Sequence, residues 1–142
     1  MPPPVVRVVA VLIVQEDTVL LVRHTNSKHI EGIYGLPGGR LEEGETEAEG
    51  AKRELEEETG LVADLSDLTE LPTLWKAEVT FKDGTKRNCS MRVFLCKKYT
   101  GELCGTEHEI TEWVPLADVK NLMLLSNVES AIREALRLKT AR

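Results

Sequence analysis

The sequence has few of the features that mark disulfide, zinc or membrane-spanning sites. It contains three cysteines, Cys89, Cys96 and Cys104, and none belongs to a CxxC pair. An odd number without paired spacing argues against a disulfide framework and against a zinc site. The apolar stretch at 5–14 is too short to cross a bilayer, and it contains Arg7.

Positive charge is also scarce. The chain has 18 lysines and arginines against 24 acidic residues, which gives a formal net charge of -6. Such a surface repels nucleic acid polymers and anionic membranes, so a phosphate-bearing ligand needs a local aid such as a metal ion. The first residues lack the charged and apolar segments of a signal peptide. We therefore expect a cytoplasmic monomer or homodimer with a small-molecule partner, no nucleic acid polymer partner and no membrane partner.

Strand and helix signals alternate along the chain in the order typical of an α/β (α+β) domain. The first helix is predicted to begin after Thr46, which forms a capping box with Glu49, and to end at Thr59 before Gly60. Ser126 is the expected cap of the last helix. Predicted strands lie at 5–14, 19–22, 73–81, 88–97 and 110–114. We expect one domain over residues 1–142, with a mixed sheet between helices.

The first predicted helix and the loop before it are unusually acidic. Nine glutamates lie between residues 42 and 58. On a helical projection, Glu54, Glu57 and Glu58 form one strip at the edge of the buried face, where they repel one another. A hard divalent cation such as Mg²⁺ removes that conflict, whereas a merely solvated acidic helix would not need the strip. Arg53 lies next to Glu57 and can hold it through a bidentate bond.

These residues belong to a longer motif at 39–61. Its defined positions, in the pattern Gx5Ex7REUxEExGU, are Gly39, Glu45, Arg53, Glu54, Leu55, Glu57, Glu58, Gly60 and Leu61. The segment resembles the Nudix box, and the chain resembles the Nudix hydrolases of the MutT type. This resemblance implies the Nudix fold, a mixed β-sheet sandwiched between helices. It also implies hydrolysis of a diphosphate linkage in a nucleotide, with Mg²⁺ or Mn²⁺ as cofactor.

The resemblance further implies roles for individual residues. Glu54, Glu57 and Glu58 correspond to the metal ligands, together with the backbone at Gly38, and Arg53 to the arginine that orients the carboxylates. The residue that takes the proton from water stays open among Glu57, Glu54 and a glutamate from the loop before the penultimate strand. In that loop Glu107 is favoured over Glu109.

Substrate contacts are predicted from residues both inside and outside the box. Gly38 and Gly39 bring backbone atoms to the site, and Asn127 resembles a base-contacting asparagine. Further candidates for the pocket wall are Arg23, Tyr34 and Trp75. We expect a (deoxy)nucleoside triphosphate or an oxidised purine nucleotide to yield monophosphate and pyrophosphate. The alternatives are ADP-ribose, a nucleotide sugar or a dinucleoside polyphosphate as substrate, or a non-catalytic module that senses nucleotides.

Overall fold

The computed structural model describes residues 4–25, 32–81, 83–107 and 109–140. Residues 1–3, which bear on the expected absence of a signal peptide, lie outside these ranges. The strands are β1 Val6–Leu12, β2 Val14–Gln15, β3 Thr18–His24, β4 Tyr34–Gly35, β5 Gly38–Arg40, β6 Leu68–Thr80, β7 Lys86–Cys96 and β8 Glu109–Pro115. The helices are α1 Glu47–Thr59 and α2 Val128–Thr140, with 3₁₀ turns at Leu65–Asp67 and Leu116–Asn121. None of the described helices is long and apolar enough to span a membrane.

The strands form two sheets. Sheet A has the order β5-β1-β7-β6 and is mixed, because β1 and β7 are parallel while the other neighbours are antiparallel. Sheet B joins β2, β3, β4 and β8 in antiparallel pairs. The segment predicted as one strand at 5–14 divides at Ile13, whose carbonyl accepts a hydrogen bond from the Leu20 N–H at 3.0 Å. A continuous apolar run carries no mark of this break, so the sequence predicted one strand and a single sheet.

The two helices lie on opposite sides of the sheets, as the sequence predicted. Successive residues of a strand point to opposite faces. Val9 of β1 therefore packs with Leu55 of α1, whereas its neighbour Ala10 packs with Ala131 of α2. Both apolar clusters also take side chains from β3, so each helix is supported by both sheets. Full burial of a leucine such as Leu55 contributes about 1.5–3 kcal/mol.

Helix α1 begins and ends where its side-chain signals predict. The Thr46 hydroxyl accepts from the Glu49 N–H at 3.1 Å, and the Glu49 carboxylate accepts from the Thr46 N–H at 2.9 Å. Gly60 then ends the helix in the left-handed conformation, with φ 79°. An N-cap of this kind is worth about 1 kcal/mol. Both ends of the acidic helix are thus fixed locally, which keeps its carboxylates in place beside β5.

Helix α2 begins one residue later than the predicted cap implies. Asn127 precedes it with φ 68°, and its Nδ2 donates to the Lys76 carbonyl at 3.4 Å. The helix proper starts at Val128, so Ser126 lies outside its capping position. Asparagine tolerates the left-handed region better than most residues. The bond to Lys76 then ties the loop before α2 to strand β6.

Candidate active site

A cleft of about 680 Å³ opens on the side of sheet A that carries α2. Small and apolar side chains of three strands line its floor: Val8 and Ala10 of β1, Cys89 and Met91 of β7, and Trp75 and Ala77 of β6. Glutamates of α1 and the loop before α2 complete the wall. None of these six floor side chains is charged, so the floor is an apolar surface that ends at the carboxylates.

The cleft crosses sheet A from one edge strand to the other. At the β5 edge, the Gly38 N–H donates to Glu58 Oε1 at 2.5 Å. At the β6 edge, the Asn127 amide is bonded to the Lys76 carbonyl. Strands β5 and β6 are three inter-strand steps apart in the sheet. At about 4.8 Å per step, the two edge strands that carry these ends of the cleft are about 14 Å apart.

Four glutamates meet at the β5 end of the cleft. Glu54, Glu57 and Glu58 come from α1, and Glu109 comes from the start of β8. Burial raises the pKa of Glu58 well above its ordinary value, and a hydrogen bond and charge repulsion from Glu109 raise it further. Burial is also the main cause that raises the pKa of Glu54. The fold therefore brings these carboxyl groups so close together that they resist being ionised at the same time.

Arg53 donates hydrogen bonds to carboxylates of this group and to Glu45. Its Nε and Nη2 donate to the two oxygens of Glu45 at 2.6 and 2.9 Å, which is a bidentate pair. Its Nη1 donates to Glu54 at 2.9 Å and to Glu57 at 3.2 Å. Arg53 does not itself line the cleft. It orients the carboxylates, and the bonds to Glu45 raise the pKa of its own guanidinium.

The Glu45–Arg53 pair predicts how stability responds to acid. The hydrogen bonds from Arg53 lower the pKa of Glu45 from 4.5 to about 2. A depressed folded-state pKa gives a contribution that is complete above about pH 4.5 and is lost as the pH falls toward 2. Glu45→Gln should therefore lower the thermal unfolding temperature at pH 7 by more than at pH 2. Glu43→Gln, at an exposed neighbour, serves as control. An equal deficit at both pH values would contradict the pairing.

Gly38 and Gly39 lie against the site without room for a side chain. A Cβ on Gly39 would come within 2.6 Å of Glu54 Oε1, whereas one on Gly38 would come within 2.3 Å of the Val9 carbonyl oxygen. The first clash moves the end of a flexible side chain, and the second moves backbone. The close approach at Gly39 makes the position of the Glu54 carboxylate sensitive to this residue.

Replacing each glycine with alanine should therefore have a different effect. Gly39→Ala is expected to lower kcat/KM by about 10²-fold with little loss of stability, since it displaces a carboxylate by about 1 Å. Gly38→Ala is expected to lower the free energy of unfolding by about 1–3 kcal/mol, because backbone must move. Steady-state kinetics and chemical denaturation measure the two effects. Loss of stability in Gly39→Ala with full activity per folded molecule would contradict this account.

The carboxylate oxygens are the kind of ligand that a hard divalent cation prefers, although they do not already form a complete coordination site. All the donors are oxygens, as Mg²⁺ prefers. Within the described ranges, no three acidic, histidine or cysteine side chains already lie at metal-binding spacing. Glu54 and Glu57 are turned toward Arg53, while Glu58 bonds to Gly38 and Glu109. Arg53 balances part of the charge of these carboxylates and a divalent cation would balance more of it, so the residues present fit one.

The loop glutamate that reaches the cleft is Glu109, and the preference for Glu107 is corrected. Strand β8 begins at Glu109, which pairs with His24 of β3, and this register leaves Glu109 only 7% exposed. Its Oε2 lies 3.6 Å from His24 Nδ1, and its Oε1 accepts from the Thr106 hydroxyl at 3.0 Å. Glu107 precedes the strand and is exposed. The start of β8, which the sequence placed one residue later, decides which side chain turns inward.

Arg23 lies outside the cleft wall, contrary to its expected place there. Its Nε is 3.4 Å from Glu112 Oε1, and the Tyr34 hydroxyl donates to the other oxygen of Glu112 at 3.3 Å. Because neighbours on a strand face opposite sides, His24 lines the cleft and Arg23 does not. Sequence reasoning missed His24. The alternation that makes Val22 and His24 share one face of β3 was the signal available.

Arg40 is a second cleft residue that sequence reasoning missed. Its guanidinium lies 4.2 Å from the centroid of the Phe81 ring, at the end of β6. Of the described residues that line the cleft, Arg40 is the only arginine or lysine. The sequence offered one hint, since Arg40 directly follows Gly39 in the box. Trp75, Asn127, Gly38 and Gly39, by contrast, line the cleft as expected.

Comparison with known proteins agrees with this geometry. The model of the NUDIX domain family matches residues 3–137. The putative 8-oxo-dGTP diphosphatase 2 of Mycobacterium tuberculosis is 47% identical over 116 residues, which cover 81% of this chain and 77% of that protein. The 8-oxo-dGTP diphosphatase of Escherichia coli is 29% identical over 102 residues, covering 72% and 73%. A MutT Nudix hydrolase structure from Burkholderia pseudomallei superposes with TM-score 0.77 at 23% identity, over 93% and 98% of the two chains.

Fold, carboxylates and relatives together define a class of enzyme, the divalent-metal-dependent hydrolases of phosphoanhydride bonds in nucleotides. The chain belongs to the Nudix hydrolase family. The predicted family, its α/β (α+β) fold and its enzymatic activity on nucleotides are thereby confirmed. The alternative of a non-catalytic sensing module is not supported.

Proposed function

We propose that this enzyme hydrolyses a purine nucleoside triphosphate with an oxidised base to the monophosphate and pyrophosphate, with Mg²⁺ as its cation. The observation that carries the proposal is the cleft across sheet A, with carboxylates at one edge and the Asn127 amide at the other. A separation of about 14 Å suits an extended nucleotide whose phosphates and base occupy opposite ends. The names of the two diphosphatase relatives support the same substrate.

The phosphate end is assigned to Glu54, Glu57 and Glu58, beside the backbone of Gly38. When bound there, Mg²⁺ or Mn²⁺ neutralises phosphate charge and lowers the pKa of water. Helix α1 fixes the three carboxylates on one strip, and Arg53 keeps Glu54 and Glu57 in place. An acidic protein thus gains a local means of binding an anionic substrate.

Two carboxylates are candidates for taking the proton from the attacking water. The Glu57 side chain is 57% exposed, so water reaches it freely. Glu109 is buried, and the Thr106 hydroxyl fixes the direction of its carboxylate. A positioned general base contributes about 10²- to 10⁴-fold to the rate. Glu54 lines the cleft as well, and like Glu57 it accepts hydrogen bonding from Arg53.

The base end favours an oxidised purine for a reason of hydrogen-bond polarity. Asn127 Nδ2 donates one of its protons to the Lys76 carbonyl, and the proposal is that its Oδ1, an acceptor, faces the base. N7 of guanine is also an acceptor, so the two atoms repel. Oxidation at C8 places a proton on N7 and turns it into a donor. An Asn127 amide in this orientation favours the oxidised base.

A substrate panel tests the proposal. Initial rates should be compared for 8-oxo-dGTP, dGTP, ADP-ribose, a nucleotide sugar and a dinucleoside polyphosphate, with and without Mg²⁺, and products resolved by chromatography. We expect the highest kcat/KM for 8-oxo-dGTP, with monophosphate and pyrophosphate as products. Asn127→Gly, which tolerates the same backbone conformation, should reduce the preference over dGTP by roughly tenfold. Faster turnover of ADP-ribose than of any triphosphate would overturn this assignment.

A further inference from the structure

Glu109 is held in the cleft wall by the short loop before β8. The Thr106 N–H donates to the Glu109 carbonyl oxygen at 3.2 Å, and a Cβ on Gly105 would come within 2.4 Å of the same oxygen. The Thr106 hydroxyl donates to Glu109 Oε1 at 3.0 Å. These contacts fix the main chain and one carboxylate oxygen. A carboxylate held through one oxygen can still pivot, so its direction depends on what lies at Oε2.

His24 lies at that second oxygen. Its Nδ1 is 3.6 Å from Glu109 Oε2, and both atoms are shielded from solvent. The two residues are directly opposite each other in the β3–β8 ladder, which brings their side chains to the same face of sheet B. The imidazole is 12% exposed and lines the cleft. The register that turns Glu109 inward therefore also places a histidine nitrogen beside its carboxylate.

Glu58 gives a reason for a second contact that holds Glu109. Its carboxyl group forms a hydrogen bond with that of Glu109, and the two groups repel each other when both are charged. A repelled carboxylate rotates away from its neighbour unless another group keeps it in place. An imidazole N–H can donate to a carboxylate, whereas an aliphatic or phenyl side chain of similar size cannot. Histidine at this position therefore supplies a contact that packing alone would not need.

Building on the proposed function, which names Glu109 among the groups that serve the reaction, we propose that His24 is a positioning residue for hydrolysis. Its imidazole N–H holds Glu109 Oε2, so that His24 and Thr106 together fix the direction of the carboxylate beside Glu58. His24 acts through Glu109 and not on the substrate. A histidine that only packs the cleft wall would affect stability, but its effect on the rate would not depend on Glu109.

Removal of the imidazole should act on the rate more than on binding. His24→Leu keeps a side chain of similar size without a donor, so the Glu109 carboxylate is free to turn. We expect kcat to fall by about 10- to 100-fold, as for the loss of groups that orient the side chains of a metal site, while KM changes little. His24→Asn, whose amide nitrogen lies near the position of Nδ1, should recover most of the rate. Steady-state kinetics measure both variants.

A double-mutant cycle identifies the residue through which His24 acts. Glu109→Gln alone should lower kcat, and adding His24→Leu should lower it little further, because the carboxylate to be held is already absent. In the Arg53→Lys background, where Glu109 is intact, His24→Leu should keep its full effect of about 10- to 100-fold. Residues in contact are coupled in such cycles, whereas separate ones contribute independently.

Glu112 provides a matched control on the same strand. Its carboxylate is bonded to Arg23 and to the Tyr34 hydroxyl, outside the cleft. Glu112→Gln therefore also removes a β8 carboxylate, but it should leave kcat and the effect of His24→Leu unchanged. Thermal unfolding checks that each variant folds. If His24→Leu does not fold, His24→Phe, which also lacks a donor, takes its place in the cycle.

The outcomes separate this proposal from the proposed function. Wild-type kcat in folded His24→Leu or in folded Glu109→Gln would overturn the positioning role, and so would an undiminished effect of His24→Leu in the Glu109→Gln background. A wild-type enzyme inactive on purine triphosphates would instead overturn the proposed function. The cycle would then be measured on the nucleotide that the enzyme does hydrolyse, where coupling between His24 and Glu109 again decides. An enzyme that hydrolyses no nucleotide would overturn both.

Discussion

Glu58→Gln is expected to lower kcat by about 10²- to 10³-fold, the effect typical of losing one group that stabilises transition-state charge. Glu58 lies between the Gly38 N–H and Glu109, and it is a proposed, partly buried oxygen ligand at the cleft. Glutamine keeps the oxygen that accepts from Gly38 but removes the charge. Steady-state rates at several Mg²⁺ concentrations measure the loss, which high Mg²⁺ should not fully restore. Glu57→Gln should behave in the same way.

The same substitution should not destabilise the metal-free protein. Glutamine removes a carboxylate that repels Glu109, so the unfolding temperature without metal should equal or exceed that of the wild type. Glu56→Gln is a matched control, because Glu56 is exposed on the same helix and lies outside the main cleft. It should leave kcat unchanged. Near-wild-type, Mg²⁺-dependent turnover in both Glu57→Gln and Glu58→Gln would refute the assignment of these ligands.

Arg53→Lys is expected to reduce activity by about 10- to 100-fold, the range seen when groups that orient metal ligands are changed. One guanidinium bonds both oxygens of Glu45 while reaching Glu54 and Glu57. Lysine keeps the positive charge but cannot reproduce this fork. The Mg²⁺ concentration for half-maximal activity should therefore rise along with the fall in rate.

Arg133→Lys gives the comparison for a conservative change at a simple surface pair. Arg133 is 72% exposed and contacts only Glu129, one helical turn away on α2, among the salt bridges described. Exposed pairs of this kind contribute about 0–1 kcal/mol, so the variant should match the wild type in both rate and Mg²⁺ dependence. If Arg53→Lys also matched the wild type, Arg53 would be a structural residue with no influence on the carboxylates.

The parts of the fold that sequence could predict are those set by local chemistry. Helix α1 starts at a capping box and stops at Gly60, and both signals lie within a few residues of the ends they determine. The carboxylate strip follows from helical geometry alone once those ends are known. The strip and its supporting Arg53 could therefore be placed before any tertiary structure was known.

The parts that sequence could not predict depend on contacts between distant segments. The break at Ile13 depends on Leu20, and the inward turn of Glu109 depends on pairing between β8 and β3. The side of β3 that faces the cleft likewise decides between Arg23 and His24. A shift of one residue in strand register exchanges the two faces, so errors of this size moved a predicted residue out of the cleft.

The most direct test of the account is where a cation binds. Crystals should be soaked with Mn²⁺ and the anomalous signal located, in the wild type and in Glu58→Gln. We predict a peak within about 2.0–2.2 Å of carboxylate oxygens from the α1 strip in the wild type, weakened or absent in the variant. A crystal saturated with Mn²⁺ that shows no peak beside α1, in an enzyme that still hydrolyses nucleotides, would contradict the role given to these glutamates.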